Sequence, residues 1–269
     1  MFDGKSPVLK YEELSRRKKL KEKADDEVEI AKEKLKNAKN KEESDIALEE
    51  LDKISKRTVR VTKIHNDEAK KLLKLMGIPI IESPGEAEAQ CTELVKSKRV
   101  HAIGTEDMDC LAFGVPIMLK RLTDSKHPTM EIKIEKVLSG LGITYDQFID
   151  LCILLGCDYH TTIPGIGSKT AIKLIREYKN IEEIVKNIKK PVPDGYLDKI
   201  EEVRLLFKKP LVIPGKDVEI KFLKPDVKGL IEFLVDEKGF NIIRVNKIIE
   251  RMENVKKKGV QTRMDSFFN

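Results

Sequence analysis

Polar residues with widely spaced apolar positions dominate the first part of the chain. Residues 8 to 76 contain neither Gly nor Pro, and about half of them are charged. Apolar side chains recur there at helical spacing, first at Val28, Ala31, Leu35 and Ala38 and then at Ala47, Leu51 and Ile54. This pattern predicts two long helices that meet near residues 40–44, the second ending at Gly77. By composition alone, a solvated helical hairpin is the favoured interpretation.

The pattern changes to short apolar runs after Gly77. The runs "IPII" (78–81), "VHAI" (100–103), "PIMLKRL" (116–122) and "EIKI" (131–134) each predict a strand, and a helix is predicted from about Gly85 to Lys96. This alternation is typical of an α/β fold with crossover helices. From Tyr145 onward the spacing is mostly helical, and the last residues, "GVQTRMDSFFN", form a tail that we expect to be mobile.

Composition and charge narrow the class of protein. The chain has 269 residues, 40% hydrophobic and 36% charged, and its net charge of +6 is a small difference between 52 basic and 46 acidic residues. Its four cysteines show no C-x-x-C spacing and its four histidines are scattered, so we expect free thiols and no zinc site. No apolar run approaches the roughly 20 residues of a membrane span, so we expect a soluble protein in a reducing compartment.

Acidic side chains follow two of the predicted strands. Asp107 and Asp109 come after "VHAI", two positions apart on what should be an extended segment, so both should face one way. Glu86 and Glu88 follow "IPII" in the same manner. Since ligands of open α/β sheets bind beyond the carboxyl ends of the strands, both pairs should meet at one rim. Asp158 follows the apolar helix "ILLG", and Asp3 lies in "FDGK". Both are further candidates for the same site. The full set of candidate acids is Asp3, Glu86, Glu88, Asp107, Asp109 and Asp158.

Repulsion between these acids decides what they could bind. Two carboxylates ~4 Å apart repel by about 4 kcal/mol at an effective dielectric constant of 20. Several of them in one cleft therefore need protons or cations, and a set of carboxylates without Cys or His favours Mg²⁺ or Mn²⁺. Each pair taken alone also has an ordinary interpretation, as first-turn helix acids or as turn formers.

A second motif suits phosphate. Gly165 and Gly167, in "PGIGSKTAIKLI", open a predicted helix whose Lys169 and Lys173 share one face. Glycines let a backbone approach a phosphate, and free amides at a helix start attract an anion. Such a turn with a basic helix can hold a DNA backbone without reading bases. The two glycines alone are also typical of an ordinary turn.

The tail carries apolar residues with no local partner. In "QTRMDSFF" a helical turn would place one group of side chains together, namely Gln261, Met264, Phe267 and Phe268. A pocket on a partner protein is one destination for them, and the surface of the chain itself is the other.

Six motifs together carry a resemblance to a known family: "FDGK", "SPGEAEAQC", "TEDMDCL", "ILLGCDY", "GIGSKTA" and "QTRMDSFF". In this order they strongly resemble the eukaryotic flap endonucleases of the XPG nuclease family, from Asp3 to the last residue. The resemblance implies a PIN-like nuclease: a mixed, mostly parallel sheet flanked by helices, with a helical hairpin cap and a helix–two-turn–helix region. It also implies cleavage of 5′ flaps on branched DNA in replication and repair, with 5′–3′ exonuclease activity and two Mg²⁺ ions, Mn²⁺ being possible.

The resemblance assigns roles to single residues. Asp3, Glu86 and Glu88 would serve one ion, and Asp107, Asp109 and Asp158 the other. Lys10 and Arg17 match the basic helix that reaches the scissile phosphate, although by composition they would pass for solvated charges. Glu86, Gly156 and Asp158 match positions near bound DNA, the glycine turn would hold duplex phosphates with help from K⁺, and the tail would bind the sliding clamp PCNA.

The resemblance also sets expectations for organisation and place. It implies a remnant of the nuclease region (1–10), a hairpin cap (11–76), a nuclease core (77–144), a helical DNA-binding region (145–250) and a clamp-binding tail (251–269), in a monomer of the nucleus, nucleolus or mitochondrion. Family members begin well upstream of "FDG", with another strand and another metal-binding aspartate. We therefore expect weak or absent cleavage by this chain alone, and an impaired DNA- and clamp-binding module is the alternative to an enzyme.

Overall fold

A computed structural model of the chain describes residues 1–58 and 60–257. It divides into two compact units. The first consists of Met1–Val59 and Ile81–Glu219, and the second of Arg60–Ile80 and the chain from Ile220 onward. The first unit is therefore built from two separate stretches of sequence.

Helices make up most of the described chain. In order they are α1 (Tyr11–Lys36), α2 (Lys41–Thr58), α3 (Lys63–Leu75), α4 (Ala87–Lys96), α5 (Asp109–Ala112), α6 (Ile134–Leu141), α7 (Tyr145–Leu155), α8 (Ser168–Tyr178), α9 (Ile181–Asn187), α10 (Ile200–Lys208), α11 (Val227–Ile231) and α12 (Ile242–Lys257). Short 3₁₀ turns occupy Val8–Lys10 and Gly215–Asp217, and a π-helical segment, Glu232–Glu237, continues α11.

The helical hairpin predicted near the start of the chain is present as α1 and α2. Small side chains lie between the two helices: Ala24 and Ala31 on α1 and Ala47 on α2 are all buried. Charged residues cover the other faces, and most of them are exposed. The spacing of alanine and leucine in the sequence therefore marks the seam of the hairpin correctly.

The prediction of one helix running on to Gly77 was wrong. α2 ends at Thr58 and a new helix, α3, begins at Lys63 in the second unit. Thr62 caps α3, since its side chain accepts a hydrogen bond from the backbone N–H of His65 while the His65 ring accepts from the backbone of Thr62. β-Branched residues such as Thr58, Val61 and Thr62 lose side-chain freedom in a helix, which favours a break at this point.

A three-stranded mixed sheet forms the centre of the first unit. Its strands are β1 (Ile103–Gly104), β2 (Ile117–Lys120) and β3 (Met130–Lys133), in the order β1-β2-β3. β1 pairs with β2 in parallel, and β2 pairs with β3 antiparallel. Met118 on the central strand is fully buried. A mixed sheet flanked by helices is the fold class that the sequence predicts.

Of the predicted strands, one is absent and another is shorter than expected. "IPII" forms no strand: the chain there makes one parallel bridge, between Phe2 and Glu82, with Phe2 N–H donating to the Ile81 carbonyl at 3.0 Å. Pro79 has no N–H to contribute to a ladder, which limits pairing at this point. Of "VHAI", only Ile103 lies in a strand, because β1 begins there.

A strap of residues 213–218 holds helix α4 in place. The fully buried Gln90 side chain donates to the Ile213 carbonyl at 2.8 Å and accepts from the Ile213 N–H at 2.7 Å. The Glu93 carboxylate accepts from Gly215 N–H at 3.0 Å, and Arg99 donates to the Val218 carbonyl at 3.0 Å. Since Gln90 bonds both the backbone N–H and the backbone carbonyl of one residue, it replaces the strand pairing that this segment lacks.

The helices after Tyr145 pack through a buried ion pair. Asp150 on α7 is 3% exposed, and Arg204 on α10 contacts both of its oxygens at 2.7 Å. Asp150 also accepts from the Ile181 N–H at the start of α9, and Arg204 reaches Glu182 on that helix at 2.7 Å. A bidentate guanidinium–carboxylate pair fixes orientation as well as distance, so it sets the arrangement of α7, α9 and α10.

The second unit has a small apolar core of its own. Leu230, Val245 and Ile249 are buried in it, packed by Leu72 and Leu75 of α3. Among the described residues no single helix is long and apolar enough to cross a membrane, and one pair, α6 with α7, passes that test of length and composition only when joined across an 81° bend. All four cysteines are free.

Candidate active site

The start of the chain places Asp3 beside the start of α4. Backbone hydrogen bonds join Phe2 to Ile81 and Gly4 to Gly85, the latter at 2.7 Å. The Asp3 carboxylate then accepts from the Ala87 N–H at 2.9 Å, the first residue of α4. A side chain on Gly4 would meet the Ser83 carbonyl oxygen at 2.0 Å, so this close approach requires glycine.

Glu86 and Glu88 lie at the beginning of α4, where free N–H groups favour negative charge. Glu86 is the N-cap residue and is 8% exposed, and Glu88 is half-buried in the first turn. The 213–218 strap fixes the far side of the same helix. The position of both carboxylates is therefore set by packing on α4 rather than by the end of a strand.

Asp107 and Asp109 lie in a turn that begins α5, and the expected extended segment is absent. Asp107 N–H donates to the Thr105 hydroxyl at 3.0 Å, and Asp109 N–H donates to the Asp107 carboxylate at 2.9 Å. Because Asx turns of this kind compete with strand pairing, the chain leaves β1 at once. The two acids are near each other through this turn and not through the alternation of a strand.

Asp158 follows the sharp end of α7. Gly156 has a φ of +99°, a conformation that side chains rarely adopt, and a Cβ there would lie 2.6 Å from the Thr162 methyl carbon. The turn directs the chain through Cys157 into Asp158 and Tyr159. Glycine at this position is therefore required by both backbone angle and space.

One cavity of about 540 Å³ brings these residues together, and we call it the acid basin. Six carboxylates line it, with two basic side chains from the first helical turns: Asp3, Glu86, Glu88, Asp107, Asp109, Asp158, Lys10 and Arg17. All eight lie in the first unit of the fold. Residues up to 155 positions apart along the chain (Asp3 to Asp158) thus share one hollow.

Lys10 and Arg17 neutralise part of the acid basin. The Lys10 ammonium lies 2.6 Å from a Glu86 oxygen and 3.0 Å from an Asp158 oxygen. The Arg17 guanidinium lies 2.5 Å from the other Asp158 oxygen and also bonds Glu13. Burial would lower the pKa of Lys10, but the hydrogen bonds to Glu86 and Asp158 outweigh it and raise that pKa.

Asp109 and Glu88 have fewer cationic partners than Glu86 and Asp158, and the pKa of each is raised. Burial, with the charges of Asp107, Asp158 and Glu86, raises the pKa of Asp109 from 3.8 to about 6. Burial, with the charges of Asp3 and Asp107, also raises the pKa of Glu88. Negative charge therefore accumulates on this side of the basin, and a cation bound there would relieve it.

Tyr159 belongs to this site, although sequence reasoning did not single it out. Its hydroxyl donates to the Glu86 carboxylate oxygen that Lys10 leaves free, and its ring is buried. The residue follows Asp158 directly in the sequence. No periodicity or charge signal shows that a tyrosine hydroxyl reaches an acid 73 positions earlier.

The carboxylates of the acid basin suit hard divalent cations, but they are not arranged as a complete set of metal ligands. Carboxylate oxygens are what Mg²⁺ and Mn²⁺ prefer. Within the described residues, however, no three His, Cys, Asp or Glu side chains form a ready-made ligand cluster. Because Lys10 and Arg17 bind two of the acids, the carboxylates have partners other than a metal ion. Small side-chain movements would have to accompany metal binding.

A groove of about 700 Å³ adjoins the acid basin. It shares Arg17, Asp109 and Asp158 with the basin and continues along the turn after α7, past Gly156 and Thr162. The turn leads to Gly165, which has a φ of +77°, and to Gly167, the N-cap residue of α8.

Lysine side chains lie at the surface of the glycine turn and of α8. Lys169 and Lys173 on α8 are exposed, and the Lys190 ammonium donates to the Gly165 carbonyl at 2.8 Å. The helix, glycine turn and basic helix predicted from the sequence are thus present as α7, residues 156–167 and α8. The four tail residues, Gln261, Met264, Phe267 and Phe268, lie outside the described residues.

Comparisons with known proteins define the class. The family model described as the XPG I-region matches residues 77–158. A flap endonuclease-1 structure from Methanococcus jannaschii superposes with a TM-score of 0.64 at 35% identity, covering 81% of this chain and 64% of that one. The catalytic core of Rad2 in complex with DNA substrate superposes with a TM-score of 0.64 at 26% identity, covering 72% and 71%. This is the fold of the XPG-type nucleases.

Relatives from two distant organisms narrow the class further. The chain is 49% identical to flap endonuclease 1 of Heterostelium pallidum and 48% identical to that of Glycine max, in each case over its whole length. It covers 68% and 69% of those proteins. The chain therefore belongs to the flap endonuclease family, whose members are metal-dependent nucleases.

Proposed function

We propose that this chain is a structure-specific 5′-flap endonuclease of DNA replication and repair, with 5′–3′ exonuclease activity, that hydrolyses phosphodiesters with Mg²⁺ or Mn²⁺. The single observation that carries the proposal is the acid basin: six carboxylates and two basic side chains line one cavity. Family membership supports the reaction class, and the cavity supports the choice of these residues for it. An impaired DNA- and clamp-binding module is the second candidate, favoured by the lack of a ready-made ligand cluster in the described residues.

In this proposal Asp3, Glu86 and Glu88 hold one ion, and Asp107, Asp109 and Asp158 hold a second. Divalent ions bound there would make a water molecule more acidic and neutralise charge on the phosphate. The raised pKa values of Asp109 and Glu88 support this division, because these acids have the most to gain from a cation.

Lys10 and Arg17 act on the phosphate in the proposal. Both already lie in the basin, bound to Asp158 at 3.0 and 2.5 Å. On substrate binding Lys10 leaves both Glu86 and Asp158, and Arg17 leaves Asp158, for phosphate oxygens. There, fixed positive charge stabilises the additional negative charge of the transition state. Since the pKa of each is raised, both are protonated at neutral pH.

The adjoining groove and the glycine turn bind the DNA backbone in the proposal. The amides at the start of α8, together with Lys169 and Lys173, would bind duplex phosphates. The reacting strand would pass beside Glu86, Gly156 and Asp158. A K⁺ ion would assist phosphate binding at the glycine turn. Replacing Lys169 and Lys173 together by Ala should weaken binding to a branched duplex at every sequence and reduce its salt dependence. A loss of binding confined to particular sequences would contradict a role in holding phosphates.

Cleavage of a labelled 5′-flap duplex tests the proposed activity. We expect weak cleavage near the branch by the purified chain with Mg²⁺, none with EDTA, and loss in the Asp109→Ala variant but not in Asp194→Ala, an exposed aspartate outside the basin. If neither the chain nor its variants cut while all bind branched DNA, the second candidate replaces the enzyme. Equal cleavage by the Asp109→Ala variant would refute the basin as the active site.

Partner and location follow as proposals from family membership and the tail motif. The tail would bind the sliding clamp PCNA through Gln261, Met264, Phe267 and Phe268, in the nucleus. A double replacement of Phe267 and Phe268 by Ala should abolish capture of PCNA while flap cleavage without the clamp is unchanged. Unchanged capture would refute the assignment.

A further inference from the structure

Tyr159 has two distinct attachments in the first unit. Its ring is 5% exposed and packs edge-on against Phe207, with ring centroids 5.3 Å apart. Phe207 in turn packs edge-on against Phe113 at 5.2 Å. The ring is thus held by aromatic contacts, and the hydroxyl is left to donate to Glu86. Because the two attachments involve different atoms, they can be removed separately.

Glu86 depends on two donors. Lys10 bonds one carboxylate oxygen at 2.6 Å, and the Tyr159 hydroxyl bonds the other. With 8% exposure the carboxylate has little access to water that could replace either donor. A buried carboxylate that loses the donors that hold it turns toward other partners. Each donor therefore helps to keep Glu86 where it could bind a divalent cation.

The two donors differ in permanence. The proposed function moves Lys10 from Glu86 to a phosphate, and a metal ion beside Glu86 would also repel the ammonium. Tyr159 carries no charge, so a cation beside Glu86 does not repel it, and its ring is fixed by Phe207. The Tyr159 hydroxyl therefore remains on Glu86 when Lys10 leaves.

We propose that Tyr159 is a positioning residue that holds the Glu86 carboxylate in place for a divalent cation in the acid basin. This inference rests on the proposed function, since it needs a metal ion in the basin. Partners that orient metal-binding carboxylates commonly change metal affinity by about 10- to 100-fold. The Tyr159 hydroxyl is a neutral, single donor, so the lower end of that range applies.

Calorimetric titration of the full chain with Mn²⁺ alone, without DNA, tests the proposal. The Tyr159→Phe variant keeps the ring packed against Phe207 and removes only the donor, and we expect it to bind Mn²⁺ about 10-fold more weakly. Tyr196→Phe is the matched control. Tyr196 is a buried tyrosine, 4% exposed, whose hydroxyl has no hydrogen-bond partner among the described residues, so its loss should leave Mn²⁺ affinity unchanged.

A double-mutant cycle shows whether Tyr159 acts through Glu86. Glu86→Ala should weaken Mn²⁺ binding, and adding Tyr159→Phe to it should have no further effect, because the acceptor is gone. Full additivity of the two changes would overturn the proposal. Thermal melts of each variant identify the titration temperature at which all are folded.

The possible outcomes separate this inference from the proposed function. If the unaltered chain binds Mn²⁺ and Tyr159→Phe binds it equally well, the positioning role is overturned and the proposed function stands. If Tyr159→Phe and Tyr196→Phe weaken binding to the same degree, loss of core packing is the cause and the role is again overturned. If the unaltered chain takes up no Mn²⁺, the proposed function fails, and this inference with it.

Discussion

Replacing Asp109 by Asn should stabilise the fold in the absence of metal. Asp109 lies among other acids, and its pKa rises from 3.8 to about 6 because of burial and the charges of Asp107, Asp158 and Glu86. At 1.36 kcal/mol per pKa unit this shift corresponds to about 3 kcal/mol against the charged form. Water reaches part of the carboxylate, so screening reduces the value and we expect Asp109→Asn to gain about 1–2 kcal/mol.

The gain in stability from Asp109→Asn should depend on pH. The pKa of Asp109 is higher in the folded chain than in the unfolded one, so the folded state binds the proton more tightly. Below about pH 4 the group is protonated in both states and the penalty is absent. The penalty grows as the pH rises toward the folded pKa and is complete above about pH 7. Asp109→Asn should therefore be the more stable chain at about pH 8 and equal to the unaltered chain near pH 4.

Urea unfolding with EDTA at several pH values measures the gain. Asp194→Asn, an exposed aspartate outside the acid basin, is the control and should change stability little. Saturating Mg²⁺ should reverse the order, because the unaltered chain binds the ion more tightly and gains more stability from it. If Asp109→Asn is destabilising without metal at about pH 8, the acids of the basin do not repel one another as we argue.

Three other substitutions test separate parts of the structure. Arg204→Met should lower the free energy of unfolding in urea by about 3–5 kcal/mol, because a buried carboxylate loses its partner. Lys208→Met, which removes a surface ion pair, should lower it by less than about 1 kcal/mol. Similar losses for the two variants would contradict the account of the α7–α10 packing. Lys10→Met should tighten Mn²⁺ binding in calorimetry without DNA, since no ammonium has to be displaced, and slow flap cleavage; weaker Mn²⁺ binding would contradict the competition. Gly156→Ala should lower the melting temperature, because residue 156 has a φ of +99° and the Thr162 methyl group lies nearby. Gly167→Ala should not lower it, because residue 167 has a φ of −98° and open space around an added Cβ. Equal melting temperatures for the two variants would contradict the backbone argument.

Sequence reasoning located the acids but gave the wrong local reasons for some of them. Glu86 and Glu88 were expected at the end of a strand, yet residues 78–81 form none, and the pair is placed by the start of α4 and the strap behind it. Asp107 and Asp109 were expected on an extended segment and lie in an Asx turn. The predicted positions of these acids are nonetheless correct, because helix starts and turns also direct carboxylates toward the edge of a sheet.

Contacts that depend on distant parts of the chain could not be predicted. The hydroxyl of Tyr159 meets Glu86 only because α4 and the turn after α7 pack together, and no local pattern encodes that meeting. The break between α2 and α3 has a local signal in its β-branched residues and in the Thr62 cap, which the absence of Gly and Pro obscured. Helical periodicity, in contrast, gave the hairpin and most of the helices after Tyr145 correctly, because it depends on neighbours within one or two turns. It did not single out α10 (Ile200–Lys208).

The 213–218 strap has a consequence for synthesis of the chain on the ribosome. Gln90, Glu93 and Arg99 find their strap partners 123, 122 and 119 positions later, so a nascent chain that already contains all six basin acids still lacks the contacts that fix α4. Contacts this far apart in sequence form slowly. Emerging chains should thus stay sensitive to proteases around α4 until the strap leaves the exit tunnel, and the acid basin takes its final form only then.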